Sequence, residues 1–122
     1  MEPDRVEVHT DAAKPYVVSR TSEQFILTAQ DFLDLLALGG EHGANLFVLE
    51  DVNFTAGFYD LKTGLAGEVL QKLSNYNCRL AIVGMFAMVR SERFRELMSE
   101  SNKGAQLRFA GRREEIMGWL LL

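Results

Sequence analysis

Leu46-Phe47-Val48-Leu49-Glu50-Asp51 is the stretch that decides the fold. Four consecutive apolar residues make a run of strand length, and an unbroken run, in place of alternation, is the pattern of a strand covered on both faces. The acidic pair ends it. A second run of the same kind, Leu80-Ala81-Ile82-Val83, leads into Gly84. Between the two, Leu65, Val69, Leu70 and Leu73 recur at helical spacing in a segment beginning near Thr63 and ending around Asn75. Strand, helix, strand in succession requires parallel pairing through a right-handed crossover.

Working outward, Thr28 can cap a helix with Asp31 three positions on, and Phe32, Leu35 and Leu36 share its apolar face. This helix ends near Gly43. Gly39-Gly40 inside its last turns each cost about 1 kcal/mol of helix propensity relative to Ala, which predicts either an early end or a close packing contact. Upstream, Val6-Glu7-Val8-His9 alternates, and Tyr16-Val17-Val18 follows a polar connector containing Asp11, Lys14 and Pro15. Together they read as an antiparallel hairpin.

Downstream, Ser91 can cap a helix whose buried face is Phe94, Leu97 and Met98, stopped by Asn102-Lys103-Gly104. Gln106-Leu107-Arg108-Phe109-Ala110 alternates as a half-exposed edge strand. Gly111 then turns the chain into a short helix with Ile116, Met117 and Leu120 as its apolar face. Trp119 and Leu121-Leu122 are expected to dock on the core or on another subunit. The order ββαβαβαβα describes one α/β domain over residues 1–122, residues 1–4 forming a disordered tail. Its sheet is mixed and five-stranded, with an N-terminal hairpin followed by βαβαβα crossovers.

The composition excludes several functions. Of 122 residues 48% are hydrophobic and 25% charged, the profile of a soluble globular domain. Seventeen acidic residues against 13 Lys and Arg leave a net charge of −4, the wrong sign for binding nucleic acid. Arg90, Arg93 and Arg95 are interrupted by Glu92 and Glu96, which marks a solvated helix face. Cys78 is the only cysteine, so no intramolecular disulfide forms, and its place before an apolar strand predicts a buried structural thiol. With His9 and His42 as the only histidines, a zinc site built from His and Cys is not expected.

The polar start Met1-Glu2-Pro3-Asp4-Arg5 lacks the pattern of a secretory signal, and no apolar stretch approaches the roughly 20 residues of a membrane span. A cytoplasmic location without membrane attachment follows as the expectation. Neither glycine-rich phosphate motif occurs, and no cofactor is expected. Glu50-Asp51 after a strand lacks the later Asp and Lys of a phosphoacceptor receiver. Nothing brings His9 or His42 beside a serine, as a hydrolytic triad would require.

In an open α/β sheet, ligands bind at the carboxyl ends of parallel strands. That edge gathers Glu50, Asp51, Asn53, Asp60, Lys62 and Thr63 from one connection and Gly84, Arg90 and Ser91 from the next. The connection from Asp51 to Thr63 is long, and long connections are often functional. Its aromatics Phe54, Phe58 and Tyr59 either fold back to close the core or anchor an interface. Thr63 either caps the following helix or, phosphorylated, places an anion where helix N–H groups favour one. Gly64 and Gly67 suggest a close approach to a strand or a ligand.

Asp60-Leu61-Lys62-Thr63-Gly64-Leu65-Ala66-Gly67-Glu68, with Leu70-Gln71-Lys72, Leu80-Ala81-Ile82-Val83-Gly84 and Glu100-Ser101-Asn102-Lys103-Gly104, resembles the bacterial family catalogued as domain of unknown function 4180. The similarity runs from about Phe25 to Trp119 and implies no established activity. The order of strands and helices is similar to the STAS domain of anti-anti-sigma factors. In those regulators a phosphorylatable Ser followed by Gly-Leu opens the helix after the second core strand, and its phosphorylation breaks binding to a kinase partner. Thr63-Gly64-Leu65 stands at that position, although Leu61-Lys62 replaces the usual Asp-Ser.

The reading that follows is a non-enzymatic cytoplasmic regulatory module that binds a protein partner or another copy of itself. Its site residues are Asp51, Asn53, Phe58, Tyr59, Asp60, Lys62, Thr63 and Gly64, with Thr63 the phosphorylation candidate and no metal. The alternative is a small-molecule or anion site on the same edge, using backbone N–H groups near Thr63-Gly64 with Glu50 or Asp51 as acid or base for carboxylate-based hydrolase chemistry. A pocket of roughly 300 Å³ or more lined by those residues favours the alternative, and a flat surface favours the partner.

Overall fold

The structure is a computed structural model that describes residues 4–10 and 14–120. The disordered tail expected at 1–4 (Asp4 aside), Asp11 of the connector and the docking of Leu121-Leu122 lie outside the described residues, as do the side chains of Met117 and Leu120. Five strands form one sheet: β1 (Val6–His9), β2 (Tyr16–Ser19), β3 (Leu46–Glu50), β4 (Arg79–Val83) and β5 (Leu107–Ala110). They lie side by side in chain order. β1 and β2 make the antiparallel hairpin, and every later pairing is parallel. The sheet is therefore mixed, as the apolar runs require.

Helices α1 (Ala29–Glu41), α2 (Leu65–Asn75) and α3 (Glu92–Ser101) are the crossovers, and α4 (Glu114–Leu120) follows β5. Side chains alternate across a strand. Phe47 and Leu49 therefore join Leu80, Ile82 and Phe109 in the larger core beneath Leu35, Val69 and Phe94 of the three crossover helices. Leu46 and Val48 join Val18, Ala81 and Ala110 on the opposite face beneath Ile116 and Trp119 of α4. Both faces of β3 are covered, which is why its apolar run has no polar interruption. Burying each such side chain contributes about 1.5–3 kcal/mol.

The signals at the helix starts act locally. Thr28 accepts a hydrogen bond from the Asp31 amide at 3.2 Å, and the Asp31 carboxylate accepts from the Thr28 amide at 3.0 Å, a reciprocal box that satisfies otherwise free donors. Ser91 caps α3 by accepting from the Phe94 amide at 3.2 Å. α1 continues through both glycines to Glu41, and of the two expectations for that pair, close packing is the one found. A Cβ on Gly39 would lie 2.5 Å from Phe47 Cζ.

β5 lies at the sheet edge but is more covered than its alternation predicts. Leu107, Phe109 and Ala110 are buried, because α3 packs on one face and α4 on the other. Its outer edge is also occupied. Asn102 accepts from the Phe109 amide at 2.7 Å and donates to the Phe109 carbonyl at 3.2 Å, standing in for the strand that is not there. Trp119 docks on its own sheet, 4% exposed, with the Arg79 and Arg108 guanidinium groups each 5.2 Å from its ring. Among the described residues no helix is long and apolar enough to cross a membrane.

Candidate functional site

The long connection after β3 is wound into three short 3₁₀ turns, Asp51–Asn53, Ala56–Tyr59 and Leu61–Thr63. Its beginning is fastened inward. Asn53, fully buried, accepts from the Glu50 amide at 2.7 Å and donates to the carbonyls of Thr21 and Glu23, both at 2.9 Å. One amide thus uses both of its donors and its oxygen while tying the end of β3 to the segment entering α1. Phe58 packs between Phe54 and Phe94, with ring centroids 4.3 and 5.7 Å away.

The Tyr59 hydroxyl donates to the Asp51 carbonyl at 2.6 Å. Burial pushes its ionisation well above the ordinary phenol range, and the Asp51 charge pushes the same way. The structure thereby corrects the assignment of Phe58 and Tyr59 as interface anchors. Both are core side chains, held inside because closing the larger core needs their rings over α2 and α3.

The remaining residues of the connection face water. Asp60, Lys62, Thr63 and Gly64 are exposed, whereas Asp51, Asn53, Phe58 and Tyr59 are buried, so the eight expected site residues divide into an inner and an outer group. Thr63 precedes the helix and is not its cap. Gly64, left-handed at φ +82°, holds that position, and α2 starts at Leu65. The Thr63 hydroxyl reaches the Gly57 carbonyl at 2.6 Å and the Asp60 carbonyl at 3.0 Å, and accepts from the Leu65 amide at 3.3 Å. It clasps the second and third turns together. Gly64 and Gly67 make no close approach, since nothing lies within 4 Å of a Cβ built on either. Arg90 is exposed, and Ser91 serves as a cap.

A cleft of about 430 Å³ opens where β3 and β4 end. Glu50 and Asp51 enter it from β3, Gly84 to Met88 from the loop after β4, and Arg113 from the start of the chain's last helical segment. Asp51 is its hub. One carboxylate oxygen, Oδ2, accepts from the Phe86 amide at 3.0 Å. Phe86 holds the left-handed conformation, φ +55°, which costs a non-glycine residue about 1–2 kcal/mol, and this bond helps to hold it there. Gly84 makes the arrangement possible. A Cβ at that position would lie 2.1 to 2.6 Å from the Asp51 carboxylate atoms.

Among the described residues no donor reaches Asp51 Oδ1, yet no sealed side-chain oxygen lacks a partner, so Oδ1 is the oxygen open to the cleft. Arg113 donates to the Ser19 carbonyl at 3.1 Å, and Glu50 accepts from the Ser22 hydroxyl at 3.4 Å. The rest of the wall is Val52, Val83, Met85, Ala87 and Met88. Met85 is 91% exposed.

Reading the sequence found Glu50, Asp51 and Gly84 in this place but missed Arg113 and the two methionines. No local pattern joins residue 113 to residue 51. Lys62 and Thr63 do not line the cleft. Two larger hollows, of about 550 and 560 Å³, lie at the opposite ends of the strands. The first has no charged side chain in its wall, and the second is bounded by Lys14, Arg79 and Trp119. Cys78 borders the first, its thiol pushed up in pKa by burial and therefore protonated. No group of three or more His, Cys, Asp or Glu side chains able to hold a metal ion occurs among the described residues.

Comparison with known proteins gives one family. The profile described as Domain of unknown function (DUF4180) matches residues 11–120. No curated protein and no solved structure shows significant similarity.

Proposed function

We propose that this chain, which belongs to the family described as Domain of unknown function (DUF4180), is a non-enzymatic binding domain of the cytoplasm that holds a small molecule in the cleft between β3 and β4. The observation that carries this reading is a carboxylate oxygen, Asp51 Oδ1, left without a protein donor on a residue that lines a 430 Å³ cleft. That volume lies within the range of ligand clefts. Each polar group of the wall is held by one protein bond, Asp51 to Phe86, Glu50 to Ser22 and Arg113 to Ser19, and so is oriented before a ligand arrives.

A second reading is supported by the outer group of residues. Asp60, Leu61, Lys62 and Thr63 are four consecutive exposed residues on turns clasped by the Thr63 hydroxyl, a preformed surface suited to a protein partner or a second copy. The three crossover helices gathered on one face of a five-stranded sheet support a STAS-like reading of the fold, in which this surface is the one regulators use.

The test is a ligand screen by amide NMR on the full chain. Binding compounds should shift the Gly84 and Phe86 resonances, and Ala87→Trp, which fills the cleft, should abolish the shifts. Hits that move only Lys62 and its neighbours would overturn the cleft in favour of the outer surface. Resonances at Gly84 and Phe86 that no compound moves would also refute it.

A further inference from the structure

The cleft combines three features that restrict what it can hold. It contains an open carboxylate oxygen, a guanidinium group with donors to spare, and an apolar wall. Arg113 uses one of its N–H groups on the Ser19 carbonyl, and its other donors have no partner among the described residues. A lone anion would meet Glu50 and Asp51, and a lone cation would leave the spare N–H donors of Arg113 without an acceptor. A ligand carrying both charges satisfies both, and charge-assisted hydrogen bonds to each are the strong kind. The methionines set the remainder. Met85 and Met88 offer unbranched, adaptable surface, and an apolar group laid on the exposed Met85 would remove it from water. The Phe86 amide bond to Asp51 and the edge-on contact of Phe86 with Phe109, ring centroids 5.5 Å apart, hold this wall in place before anything binds.

We infer that the ligand is a small zwitterion of the α-amino acid class with an apolar side chain. Its ammonium group sits on Asp51 Oδ1, its carboxylate on Arg113, and its side chain against Met85 and Met88. This rests on the cleft reading above and goes further by naming the ligand's chemistry.

Titration calorimetry on the full chain tests it with L-leucine and L-methionine against two half-molecules, isopentylamine and 4-methylpentanoate. The amino acids should bind at least tenfold more tightly than either half-molecule. Asp51→Asn, which keeps an acceptor for the Phe86 amide, should weaken L-leucine at least tenfold without weakening 4-methylpentanoate, which loses a repelling charge. A half-molecule that binds as tightly as the amino acid and shifts the Gly84 amide would overturn the zwitterion while leaving the cleft standing. An entire set that binds nowhere, beside other compounds that do shift Gly84, overturns it in the same way. If no compound of any kind shifts Gly84, the cleft and the zwitterion fail together.

Discussion

Gly84→Ala is the substitution that most directly probes how the cleft is built. The backbone of Gly84 is outside the left-handed region, so alanine is conformationally acceptable there and any effect comes from contact alone. That contact is severe. The new methyl would lie 2.1 Å from Asp51 Cγ and 2.3 and 2.6 Å from its two oxygens. Asp51 has little room to retreat, because its carbonyl accepts from Tyr59 and its Oδ2 from Phe86.

Either the backbone shifts, at a typical overpacking cost of about 1–3 kcal/mol, or the carboxylate leaves the Phe86 amide, a charged hydrogen bond of about 1.5–3 kcal/mol. We expect a loss of about 2–3 kcal/mol, seen as a fall of about 1–2 M in the urea midpoint with an unchanged slope. In an Asp51→Ala background the methyl has nothing to strike, and the same substitution should cost less than about 0.5 kcal/mol. A Gly84→Ala protein as stable as the parent, or an equal loss in both backgrounds, would refute the reasoning.

Neighbouring glycines of α1 should respond in opposite directions. Gly39→Ala meets Phe47 at 2.5 Å and should destabilise by about 1–3 kcal/mol, whereas Gly40→Ala faces open space and should stabilise by up to about 1 kcal/mol, both read from urea unfolding. Thr63→Val removes the clasp to Gly57 and should cost about 1 kcal/mol, with faster amide exchange confined to residues 57–65. Alkaline pH should weaken the fold. Tyr59 and Cys78 keep their protons in the folded state at pH values where the unfolded groups ionise, so the native state binds more protons and stability falls as pH rises past about 8.5 and again past about 10. Tyr59→Phe should flatten the upper part of that decline in urea midpoints measured from pH 8 to 10.5, and a parent whose midpoint does not fall there would contradict the assignment.

The parts of this fold that announce themselves in sequence are those set by neighbours along the chain. Two apolar runs, the Thr28–Asp31 box and the Ser91 cap mark the strands and helices because their physics spans a few residues. The candidate site is less legible for the opposite reason. Asn53 bonds to Thr21 and Glu23, Asp51 to Phe86, and Arg113 to Ser19, all across long separations with no local periodicity. The aromatics of the long connection were readable as core or as surface, and only the position of α3 decides between them. Glycine misleads in the same way. Gly39 and Gly84 are required by what they touch, Gly67 touches nothing, and the residue type is identical in all three.

The asymmetry of the sheet bears on how the chain is made. Residues up to Ala110 supply all five strands and the three helices over one face, but the other face keeps Val18, Leu46, Val48 and Ala81 open to solvent until Ile116 and Trp119 arrive. During synthesis a nascent chain that has emerged only as far as β5 therefore carries an uncovered greasy plane, and the seven residues of α4 act as its closing step. Ribosomes stalled before residue 114 should display a chain that chaperones grip, and those stalled beyond residue 120, with the exit tunnel cleared, should not.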